Sequence, residues 1–169
     1  MTDDFFACMG LPRRFDLDRA AIEGRYLELS RELHPDRFIG GSSAERRAAL
    51  ERSSALNEAY RGLRDPIRRA EHLCKLGGID LDSDARSGGA PTPSQAFLVE
   101  MIEARELLAE ATTPGEREAL REKIEAAAEE RLAAAAAALE GGMIRDAAEA
   151  LVIHRYLRRF LDEIDGAQH

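Results

Sequence analysis

Tryptophan is absent from this 169-residue sequence, only 5% of it is aromatic, and it holds two cysteines. A sheet needs β-branched and aromatic positions that such a composition scarcely supplies, whereas the abundant Ala, Leu, Arg and Glu favour helices. The expected class is all-α. Cys8 and Cys74 stand 66 positions apart, with no companion Cys or paired His at ligand spacing. Neither a zinc site nor a disulfide framework is indicated. Direct ligation of an iron-sulfur cluster would draw on several cysteines, so neither a metal nor another cofactor is expected. No apolar run approaches the roughly 20 residues that span a bilayer. The opening stretch MTDDFFACMG is acidic where a secretory signal would be basic. These absences point to a soluble cytoplasmic protein with no membrane partner.

What is present is unevenly charged. The formal net charge is -8, with 14 basic and 13 acidic side chains in residues 1–78 against 10 and 19 in residues 79–169. That break suggests two units, and the acidic second one would repel phosphate backbones, which argues against nucleic acid.

Periodicity and punctuation fill in the helices. Asp3 to Met9 is a short candidate, closed by Gly10 and Pro12. Asp18 is placed to cap a helix over residues 19–33, where Ile22, Tyr26, Leu29 and Leu33 recur on one face. Pro35 forbids its continuation, so His34 to Gly41 reads as a loop. Ser42 and Glu45 have capping-box spacing, opening a helix over about 44–64 with Ala49, Ser53, Leu56, Tyr60 and Leu63 on one face. A short helix over Ile67 to Leu76 closes the first unit. Residues 77–93, GGIDLDSDARSGGAPTP, read as linker. Helices are then expected over Ser94 to Ala111, from Pro114 to about Glu140 behind a Thr113 cap, and over Met143 to Ile164. Three helices with tight connections suggest an antiparallel bundle. The domains expected are therefore 1–76, a linker 77–93, and 94–169.

His34-Pro35-Asp36 is weak evidence alone, but it follows an amphipathic helix, extends to HPDRF, and precedes a capped helix and the stretch ALNEAYRGLRDPIRRAEHL. Together these resemble the J-domain family. The resemblance implies a helical hairpin whose HPD loop docks on a DnaK-type chaperone and stimulates its ATP hydrolysis. It places His34, Pro35 and Asp36 at the contact, with Arg25, Arg31 and Arg37 as supporting basic groups. Glu28 and Glu32 interrupt the basic character that J-domains commonly show on that helix, which favours a dedicated chaperone. A His-Asp acid-base enzyme is the competing class. Nothing supplies it with a nucleophile, a metal constellation or a phosphate cradle, so no catalytic residue is assigned.

HPDRF, the lack of a Gly/Phe-rich segment or zinc repeats, and a short acidic helical C-terminal part look like the iron-sulfur assembly co-chaperones of the HscB type. The eukaryotic form's CxxC segment is not seen, which points to the bacterial type. The second unit then gains a role. Phe97, Met101, Ala104 and Leu108 cluster as a core stripe, while Leu98, Ile102 and Ala109 lie a quarter-turn or more away and Val99 further round. This leaves a greasy arc bordered by Glu103 and Glu106, the composition of a protein-binding patch. By resemblance, FLVEMIEARELL aligns with the family's client-binding helix. Leu98, Val99, Ile102, Glu103 and Glu106, with Arg155 and Tyr156 of the last helix, would then meet the scaffold protein on which clusters are built. The alternative client is a different protein recruited through the same acidic bundle.

Overall fold

The computed structural model of the protein describes residues 4–38, with Pro35 by its backbone alone, 40–83 and 89–166. Every regular element among them is helical, as the composition predicts. The chain divides into two units, Met1–Leu76 and Gly77–His169.

The first unit opens with α1 (Phe5–Met9), capped by Asp4, whose carboxylate accepts from the N–H groups of Phe6 at 2.9 Å and Ala7 at 3.2 Å. The sequence predicts this helix from Asp3, which lies outside the described residues; Asp4 takes the cap, so the helix proper starts at Phe5. Gly10 ends it at φ 64°, a left-handed turn that glycine adopts without steric penalty. Next, α2 (Arg19–Glu32) starts behind Asp18, whose side chain accepts from the Ala20 N–H, and it stops three residues before Pro35. Then α3 (Ser43–Arg64) carries the complete capping box of Ser42 and Glu45. In α4 (Pro66–Leu76) the first turn is satisfied by Asp65, which accepts from Ile67 and Arg68.

The core of this unit gathers Phe6, Met9, Leu17, Ile22, Leu56, Ala59 and Leu63, with Tyr26, Leu29, Leu33 and Tyr60 half-buried around it. The predicted apolar stripes of α2 and α3 face each other there. Tyr26 stacks on Tyr60 at 4.1 Å between centroids and donates its hydroxyl proton to Asn57 at 2.8 Å, pinning the middle of the hairpin. On the other side Phe5 lies against Gly62 so closely that a Cβ there would stand 2.4 Å from the ring.

In the second unit the linker makes turns at 77–78 and 81–82 and bends at 83 and 90, and is otherwise irregular over its described parts, 77–83 and 89–93; residues 84–88 of the predicted linker lie outside the described residues. Three helices follow: α5 (Gln95–Glu110) capped by Ser94, α6 (Pro114–Glu140) capped by Thr113 with Glu116 closing the box, and α7 (Ile144–Gly166). One core joins Phe97, Met101 and Ala104 of α5, Leu120, Ile124 and Ala128 of α6, and Leu157, Phe160, Leu161 and Ile164 of α7. Arg105 of α5 grips Glu163 of α7 with two hydrogen bonds of 2.9 and 3.0 Å, and Arg121 of α6 reaches Asp165 at 3.1 Å. Among the described residues no helix is long and apolar enough to cross a membrane, and no group of three or more potential ligands could hold a metal ion.

Candidate functional site

Two surfaces stand out, one in each unit. The first is the connection between α2 and α3. Within the loop predicted from His34 to Gly41, the backbone of Pro35–Phe38 makes a 3-10 turn. The cause is local. Pro35 fixes its own φ and blocks the α-helix, but a tighter turn remains open to it. The Arg37 N–H donates to the His34 carbonyl at 3.0 Å and the Gly41 N–H to the Phe38 carbonyl at 3.0 Å.

His34 and Asp36 stay at the surface, with side chains 58% and 76% exposed. The Asp36 N–H donates to His34 Nδ1 at 3.3 Å, and the Asp36 carboxylate stands 3.5 Å from the same nitrogen. The turn presents a carboxylate and an imidazole side by side at the surface. Arg37 shares the turn and is exposed, as is Arg31 in the last turn of α2. Arg25 is placed differently: its Nε donates to the Met9 carbonyl at 3.0 Å and its guanidinium pairs with Glu28, so it braces the end of α1 against α2.

The second surface is the outer face of α5. Phe97, Met101 and Ala104 are buried, and the arc that the sequence left over is open: Leu98 is 37% exposed, Val99 49% and Ile102 57%. Glu103 and Glu106 are exposed among them. Leu107, which the sequence pattern does not single out, is exposed as well, on the far margin of the arc beyond Glu103. Tyr156 is half-buried, its ring edge-on to Phe97 at 6.0 Å, so it belongs to both the core and its rim. Arg155 is held by the linker, donating to the Leu81 carbonyl at 3.0 Å and pairing with Asp82 at 3.0 Å. No sequence pattern signals that contact across more than 70 residues.

The two thiols are both pushed above their ordinary range by burial, Cys74 to about 11, which removes the thiolate that reactivity requires.

Comparison with known proteins covers both surfaces. The family model described as the HSCB C-terminal oligomerisation domain matches residues 93–165. The co-chaperone protein HscB homolog of Bordetella petrii is 44% identical over 109 residues, 64% of this chain and 62% of that protein, a little under two thirds of its length. The homolog of Cupriavidus taiwanensis is 41% identical over 145 residues, 84% of this chain and 80% of that one. The crystal structure of the human co-chaperone protein HscB superposes with a TM-score of 0.81 at 30% identity, covering 99% of this chain and 83% of the human one.

Proposed function

The chain belongs to the HscB family of co-chaperones, and from that premise we propose that it binds an iron-sulfur cluster scaffold protein and delivers it to a specialised DnaK-type chaperone. The first unit acts as the J-domain and stimulates that chaperone's ATP hydrolysis, and the second is the client-binding domain, so that delivery promotes cluster transfer. Both partners are proteins of the cytoplasm.

The outward-facing pair at the turn carries this reading. The outward-facing Asp36 carboxylate is placed to accept charge-assisted hydrogen bonds from a partner's guanidinium. Each such bond contributes about 1.5 to 3 kcal/mol, so losing one costs the complex roughly tenfold or more. His34 fixes the Asp36 backbone from one side while Pro35 restricts it from the other, which limits the ordering cost of docking. Arg31 and Arg37 add positive charge beside the pair, and Arg25 contributes by holding α2 in place. On the second unit, Leu98, Val99 and Ile102 supply apolar area, with Glu103 and Glu106 as a polar margin and Arg155 and Tyr156 at its edge, an arrangement suited to a protein partner. The protein itself performs no bond-making chemistry.

The test is a steady-state ATPase assay of the specialised chaperone with chain and scaffold titrated in. Stimulation should rise with the chain and rise further with the scaffold. His34→Gln should abolish stimulation while helical content and melting are retained; a variant that loses its fold instead would show His34 to be structural.

A further inference from the structure

Residues 80–83 form a preshaped turn. The Asp82 N–H donates to the Asp80 carboxylate at 3.0 Å, and the Ser83 N–H and hydroxyl both donate to the Asp80 carbonyl, at 3.1 and 2.8 Å. Downstream, the Ala90 N–H returns to the Ser83 carbonyl at 3.2 Å. Leu81 is buried, 7% exposed, so the turn is anchored by an apolar side chain as well as by its own hydrogen bonds. From this anchored turn the Leu81 carbonyl and the Asp82 carboxylate both receive Nη1 of Arg155, at 3.0 Å each. Arg155 is only 28% exposed, whereas Asp82 is 83% exposed. An ion pair with so open a partner adds little to the stability of the fold. Its physical effect is on the arginine, whose long side chain is held between the Leu81 carbonyl of the anchored turn and the Asp82 carboxylate.

We infer that Asp82 is a positioning residue of the client-binding surface, which orders the Arg155 guanidinium before the scaffold arrives. This rests on the reading of α5 and α7 as the scaffold-binding face. A flexible arginine must be immobilised when it enters an interface, and a preordered one is spared most of that cost. The linker is then a working part of the surface.

The experiment is the dissociation constant for the scaffold, measured with the full chain and with Asp82→Ala, Asp82→Asn, Arg155→Ala and the double variant Asp82→Ala/Arg155→Ala. Asp82→Ala should weaken binding about two- to tenfold with melting retained. Asp82→Asn, which keeps an oxygen acceptor, should restore most of the loss, and the effect of Asp82→Ala should vanish when Arg155 is already alanine. Unchanged binding, tighter binding, or an equal loss in both backgrounds overturns the inference, the second because Asp82 would then be obstructing Arg155. Leu98→Ala/Ile102→Ala serves as the control. If it weakens binding and Asp82→Ala does not, the inference alone falls; if neither does, the reading of the whole face falls with it.

Discussion

At the scale of single residues, His72 shows how burial sets chemistry. It is 7% exposed, stacks on Phe5 at 4.0 Å, and through Nε2 accepts the Phe5 N–H at 3.0 Å, so the neutral imidazole holds the first turn of α1. Burial lowers its affinity for a proton below the ordinary value of 6.5; the Asp4 carboxylate 3.9 Å away opposes that, and Lys75 and Arg13 reinforce it. The unfolded chain therefore binds this proton more readily than the folded one. The resulting stability is full above the ordinary histidine value and declines as the pH falls through it toward the lowered folded value. Melting followed from about pH 7.5 down to about pH 5.5 should fall more for the natural chain than for His72→Gln, which keeps an acceptor and does not titrate. Equal slopes would show that another group governs that range. Asp4 titrates lower still: burial alone would raise its carboxyl, but the Ala7 N–H, Arg13 and the Phe6 N–H together hold it below its usual value.

Among the elements, the docking of α1 on α3 depends on one missing Cβ. Gly62→Ala gains up to about 1 kcal/mol of helix propensity. It also forces an atom to within 2.4 Å of the Phe5 ring, and overpacking of this kind costs about 1 to 3 kcal/mol, so the variant should unfold at lower urea. A midpoint that rises would mean that α1 can shift freely. Helix ends were legible where their signals are local. Asp18, the Ser42 and Glu45 pair, and Thr113 with Pro114 cap the helices the sequence assigned to them. The exposed arc of α5 was legible too, because Leu98, Val99 and Ile102 exceed what one buried face can hold. Hidden were features decided by distant partners or fine backbone geometry: the 3-10 turn after His34, the hold of Met9 on Arg25, and the capture of Arg155 by Leu81 and Asp82.

Across the whole molecule, the turn and the apolar strip lie in different units, so their contributions should separate in one assay. With the chaperone alone, Leu98→Ala/Ile102→Ala should stimulate ATP hydrolysis as the natural chain does, and adding scaffold should give little further increase. A loss in both conditions would mean that the strip supports the first unit's task. The charge asymmetry fits such a division of labour, since the nearly neutral half and the acidic half present different fields to their surroundings. Among the described residues, the turn's hydrogen bonds from Arg37 to His34 and from Gly41 to Phe38 span only three residues each. Bonds that short travel with their segment, so transplanting residues 34–45, with the first turn of α3 that the segment leads into, between two antiparallel helices of an unrelated scaffold should carry both bonds with it.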